Sequence, residues 1–276
     1  MRARSAICAA LAALAISAEE RKVDDGWGLS GCLWAEFENA YLSSSGTLSD
    51  TRPISMENVD WTYRLGDYGK FWGYGCFLGT LHERQHEYHR AAFNEFETGF
   101  FYGYDWKLND EFTFCNSAGG VWNPLFGYRD GYRDTLWEYR YFQSLENPYL
   151  TPYWDILGLL SPAPSWMRIR MGVRRSFNLT DTLVLTPSID CVWGDYDRYH
   201  ARYGEYPSRD FLHGAFVSTT AGLKLEWFIT ECFSVWAKVR QFDTIDPQAR
   251  RLEKKKTVYW AKPDYTIFTL GLGLHF

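Results

Sequence analysis

The string His82-Glu83-Arg84-Gln85-His86 has the residue types of a zinc hydrolase. Two imidazoles four residues apart can hold zinc on one face of a helix, and the neighbouring glutamate can take a proton from the metal-bound water. His89 adds a third imidazole. That chemistry needs a helix, whereas the string follows the strand-like FWGYGCFLGTL and precedes a second strand-like segment from Asn94. His82, His86 and His89 are therefore expected in a solvated loop, as candidate ligands of a loop-mounted metal ion rather than as a protease centre.

A second set of reactive residues is larger and more regular. Charged side chains recur at alternate positions within apolar segments: Glu36 and Glu38, Asp60 and Arg64, Glu95 and Glu97 with Asp105, and Glu138 and Arg140. They continue as Arg168, Arg170 and Arg174, Asp190, Lys224 and Glu226, and Lys238 and Arg240. Acids dominate the first half of this set and bases the second. If all of them face one interior, they form charged walls of the kind that orient and select polar solutes in pores. The competing expectation is that they pair and fill the interior.

The elements that must carry these charges are strands. In WGLSGCLWAEFENAY, Trp27, Leu29, Leu33, Ala35 and Phe37 alternate with Ser30, Cys32, Glu36 and Glu38, at a period of two. Asn94–Leu108 and Trp166–Arg174 repeat the pattern. Short turn signals near residues 65–67, 108–110, 146–148, 178–181 and 230–231 alternate with longer polar stretches at 43–51, 83–90, 123–133, 158–164, 195–210 and 243–256. This rhythm predicts an all-β fold, a transmembrane antiparallel up-and-down β-barrel of about twelve strands with short periplasmic turns and longer extracellular loops. A soluble sandwich fits less well. Its strands are usually about 5–6 residues, and its core would not accept charges in mid-strand. The aromatic ends of the apolar faces, such as Tyr104 with Trp106 and Trp137 with Tyr139, suit interfacial girdles.

Composition agrees. Aromatic residues make up 18% of the 276-residue chain while charged residues still reach 23%. The formal net charge of −5 gives no reason to expect a nucleic-acid partner. Arg2 and Arg4, an apolar stretch from Ala6 to Ile16, and Ser17-Ala18 before Glu19-Glu20 predict a cleaved export signal over residues 1–18, leaving 19–276 as one barrel domain. No later apolar run reaches the roughly 20 residues that a membrane helix needs. Five widely spaced cysteines follow the signal (Cys32, Cys76, Cys115, Cys191 and Cys232), an odd number that is no disulfide framework.

The chain ends TIFTLGLGLHF, with Phe268, Leu270, Leu272, Leu274 and Phe276 alternating up to a terminal aromatic. Here it resembles bacterial outer-membrane β-barrel proteins of porin-like type, without a motif that selects a subfamily. The resemblance implies Gram-negative outer-membrane localisation, contact with membrane lipid and lipopolysaccharide, and recognition of Phe276 by the barrel-assembly machinery. The expected function is passive diffusion of small polar solutes, with no cofactor. An outer-membrane lipid hydrolase and a non-conducting structural or adhesive barrel are the alternatives. For the hydrolase, neither His200 nor His213 near Ser218 shows the short His–Ser spacing on one strand that outer-membrane phospholipase uses.

Overall fold

The computed structural model describes residues 27–42, 48–50, 53–80, 95–123, 136–161, 167–194, 214–254 and 262–276. Each period-two segment forms one stave of a wall. The first six are β1 (Trp27–Glu38), β2 (Ile54–Leu65), β3 (Lys70–Thr80), β4 (Glu95–Lys107), β5 (Thr113–Asn123) and β6 (Leu136–Glu146). The second six are β7 (Thr151–Ser161), β8 (Met167–Arg174), β9 (Leu183–Gly194), β10 (Ala215–Phe228), β11 (Phe233–Thr244) and β12 (Asp264–His275). Every stave pairs antiparallel with its chain neighbours.

The wall closes where β1 meets β12, in a register running from Cys32↔His275 to Glu38↔Thr269. Phe276 extends that seam. Its amide and carbonyl exchange hydrogen bonds of 3.0 and 2.8 Å with Gly31, and its ring occupies the space that a Cβ at Gly31 would need. The result is a closed twelve-stave up-and-down barrel. Closure leaves no unpaired strand edge, the condition for strands to cross a bilayer.

The burial pattern is inside-out. Leu29, Phe37, Phe100, Phe268 and Leu270 are exposed on the outer face, while Glu36, Glu38, Asp155, Arg168 and Asp190 are buried inside. An apolar surface facing hydrocarbon and a polar interior is the arrangement a membrane barrel requires. No described helix is long and apolar enough to cross a membrane.

The tight turns share one device. Asn109 Oδ1 accepts the Glu111 and Phe112 amides at 2.9 Å, and Asn147 Oδ1 accepts those of Tyr149 and Leu150 at 2.9 Å. Thr180 and Thr230 Oγ1 each accept an amide three residues on at 3.0 Å. Short polar side chains thus replace the backbone partners lost at the bend. The β2–β3 turn instead uses Gly66 and Gly69, at φ of 59° and 95°.

Two connections differ from expectation. The polar stretch expected from Gly158 begins later, because β7 continues to Ser161. Gly158 is retained in the strand because the Tyr139 ring lies over it; a Cβ there would stand 2.3 Å from that ring. The stretch after Asp243 contains a helix, α1 (Pro247–Lys254). Asp246 caps it by accepting the Ala249 amide at 2.6 Å, with Pro247 at the first helical position. Arg250 ties the helix to the rim through Asp243 Oδ1 at 2.6 Å and Asp264 Oδ2 at 2.9 Å.

Candidate functional site: the barrel interior

Alternation turns one set of side chains inward from every stave, and these form three groups. The first spans β6 to β9. Arg140 donates to both oxygens of Asp155 at 2.8 and 3.1 Å, and Arg168 donates to Asp155 Oδ2 at 3.1 Å. Arg170 donates to Asp190 Oδ2 at 2.7 Å, and the Tyr153 hydroxyl reaches the same oxygen at 3.3 Å. Each ion pair is diagonal between adjacent staves, within reach of long side chains. Arg168 is fully buried, yet its Nε and Nη1 have no hydrogen-bond partner.

The second group spans β10 to β2 across the closing seam. Lys224 pairs with Glu226 at 2.8 Å and lies 4.6 Å from the centre of the Trp236 ring. Trp236 Nε1 donates to Glu36 Oε1 at 2.8 Å, Arg240 pairs with Glu38, and Thr269 Oγ1 donates to Glu38 at 2.9 Å. The Trp236–Glu36 bond passes over β12 at Gly271, which faces both residues in register. A Cβ at Gly271 would stand 2.1 Å from the indole, so only glycine lets this bond form. Trp34 Nε1 donates to Asp60 Oδ2 at 2.5 Å and meets Trp236 edge to face. Toward the long-connection end, Ala40, Phe242 and Ile267 form a buried apolar cluster, with Leu42 and Tyr265 against it.

The third group surrounds a cavity of about 530 Å³ along β2 to β6. Lys70, Asp105 and Glu146 line it at the short-turn end, and Met56 and Leu78 at the other. Asp60, Glu97 and Arg140 line its middle, with Trp72, Tyr74 and Phe142 as its aromatic surfaces. Lys70 pairs with Asp105 at 2.6 Å, and the Tyr74 hydroxyl donates to Glu97. Trp72 stacks on Phe101 at 4.0 Å between centroids, which fixes the cavity wall.

The residues singled out from sequence separate accordingly. Asp60, Glu97 and Arg140 lie on the cavity, and Glu36, Glu38, Lys224 and Arg240 lie in the seam network. Glu138 is buried on β6, and Arg168 and Arg170 belong to the arginine–aspartate group. Lys238 makes no ion pair among the described residues. Arg64 and Arg174 are exposed at strand ends beside the short turns. The Glu95 side chain, residues 1–18, the loop histidines His82, His86 and His89, and His200 and His213 lie outside the described residues. The five cysteines are free thiols.

Sequence reading gave no place to the inward aromatics Trp34, Trp72, Phe101 and Trp236, assigning only others, such as Trp106 and Trp137, to the girdles. For two of them the readable signal was a facing glycine: Gly119 beneath Phe101 and Gly271 beneath Trp236. It also missed a serine–histidine contact, Ser234 Oγ to His275 Nε2 at 3.0 Å. This is no nucleophilic relay. The carboxylate of Glu226 accepts from Ser234 itself at 3.1 Å, so the acid does not orient the imidazole.

The chain superposes on an outer-membrane channel from Pseudomonas putida F1 with a TM-score of 0.53 and 8% identity, covering 93% of this chain and 100% of that one. The fold is that of an outer-membrane β-barrel. The NanC porin aligns over 88% of this chain and 98% of its own, at 10% identity and a TM-score of 0.49. The KdgM porin aligns over 90% and 99%, at 10% identity and 0.47. No protein-family model matches the sequence, and no curated protein does.

Proposed function

We propose that this protein is a porin-like channel of the bacterial outer membrane, passing small polar solutes by passive diffusion. The observation that carries this reading is the cavity along β2–β6. It follows β3 from Lys70 to Leu78, eight residues of rise and about 26 Å of strand at about 3.3 Å per residue. With strands tilted by about 35–45° this is about 20 Å along the membrane normal, about two thirds of a bilayer core of about 30 Å. Asp60, Glu97 and Arg140 would border the path, while Glu36, Glu38, Arg168, Arg170, Lys224, Lys238 and Arg240 would set its width from the opposite wall. Arg64 and Arg174 would stand at its periplasmic mouth. Membrane lipid, lipopolysaccharide and the barrel-assembly machinery acting on Phe276 are the partners of this reading, and it calls for no cofactor.

The apolar cluster of Ala40, Phe242 and Ile267 favours a second reading, a barrel that does not conduct. Purified, refolded protein in a planar bilayer separates the two. Discrete conductance steps are expected of the channel; silence at high protein concentration would refute it.

A further inference from the structure

We infer that the cavity along β2–β6 binds and passes small cations, organic ammonium ions included, in preference to anions. This deepens the channel reading and rests on it for the word "passes". Four carboxylates line the cavity (Asp60, Glu97, Asp105 and Glu146) against two cations, Lys70 and Arg140. Both cations are engaged. Lys70 Nζ is held by Asp105 at 2.6 Å, and Arg140 is turned to Asp155 on the neighbouring stave by two hydrogen bonds. The partners of Asp60 and Glu97 include an indole N–H and a phenol O–H, neutral donors that hold the carboxylates without cancelling their charge.

A second observation is independent of that charge count. Ser144 lines the cavity, is 1% exposed, and its Oγ has no hydrogen-bond partner. Asp105 Oδ1 and Asn58 Oδ1, on the same lining, are also unpartnered. The Asp105 and Asn58 oxygens only accept, and the Ser144 hydroxyl offers lone pairs as well as its one proton, so unpaired acceptors outnumber unpaired donors on this surface. A hydrated metal cation or an ammonium group supplies donors and positive charge together. Trp72, Tyr74 and Phe142 complete the lining with ring surfaces of the kind that attract ammonium ions. The arginines that would argue for anions do not compete, because Arg168 and Arg170 are not on this lining and are bound to Asp155 and Asp190.

Reversal potentials in a KCl gradient test the selectivity directly. The refolded protein should favour K⁺ over Cl⁻, and Glu97→Gln with Asp60→Asn should cut the permeability ratio by about two-fold or more. Both replacements keep an acceptor for Tyr74 and Trp34. A ratio of one or below in the unaltered protein overturns the inference while leaving the channel intact. If no conductance is seen, the channel reading fails and the cation site is judged by binding alone. Tryptophan fluorescence should then respond saturably to choline, with affinity about ten-fold lower in the Glu97→Gln variant. No saturable response, or a stronger one to sulfate, overturns the site.

Discussion

Where β11, β12 and β1 meet, inner side chains reach past one stave to the next; from β2 to β6, Lys70 and Tyr74 bond to the adjoining stave, at Asp105 and Glu97. The seam has Thr269, Gly271 and Gly273 on the inner face of its middle stave, small enough for Trp236 to cross to Glu36 and Arg240 to Glu38. The open sector also has small inner residues, Cys76, Cys115, Ser117 and Ser144, but they border a cavity. Small residues therefore do not by themselves open a lumen. They open one only where no large neighbour is placed to lie across them.

The strongest way to break this comparison is to remove a carboxylate from the filled sector. The Arg240 and Glu38 side chains are 14% and 1% exposed, so Glu38→Ala leaves a guanidinium desolvated without its partner. The expected loss is about 3–5 kcal/mol in urea unfolding of the micelle-bound barrel. Adding Arg240→Met should recover most of it, since paired apolar groups replace a buried ion pair at little cost. A single-variant loss below about 1 kcal/mol would mean the sector is hydrated and not filled.

Gly271→Ala is the next test. Its methyl would meet the Trp236 indole at 2.1 Å, within a ring already packed against Trp34. Displacing the indole strands Glu36 and should cost about 1–3 kcal/mol, read as a lower unfolding midpoint with altered tryptophan emission. Conductance should stay near the unaltered value, because the path lies in the other sector. The mirror experiment is Cys115→Leu. It adds bulk where there is space, so stability should change by less than about 1.5 kcal/mol while single-channel conductance falls.

Much of this contrast was out of reach of the sequence, for physical reasons. Strand positions and turn sides were legible because period-two alternation and Asn109, Asn147, Thr180 and Thr230 mark them locally. The inward charges were legible as the polar half of that alternation. Their partners were not. Acids and bases segregate along the chain, which suggested walls facing across the lumen, yet Arg140 and Arg168 share Asp155 between adjacent staves. Pairing depends on inter-strand stagger, which no single segment encodes. The inward tryptophans were left unassigned because an indole suits a lipid interface and a polar interior equally, its N–H needing only an acceptor. Helix α1 was hidden by its polar composition, although Asp246-Pro247 is a readable helix start.

Lys70→Met is the smallest perturbation and the sharpest test of which sector carries ions. The Lys70 and Asp105 side chains are 24% and 31% exposed, so water screens the pair. Its loss should cost less than about 1 kcal/mol. The electrical effect runs the other way. Removing the lysine frees Asp105 beside Glu146 at the short-turn end of the cavity, adding a net negative charge to the path. Selectivity for K⁺ over Cl⁻ should therefore rise with folding stability almost unchanged. The corresponding loss at the seam, Lys224→Met, removes the partner of Glu226 but lies off the cavity lining. It should leave selectivity where it was. Equal shifts from the two variants would show that ions see both walls alike, and the division of the interior into filled and open sectors would fall.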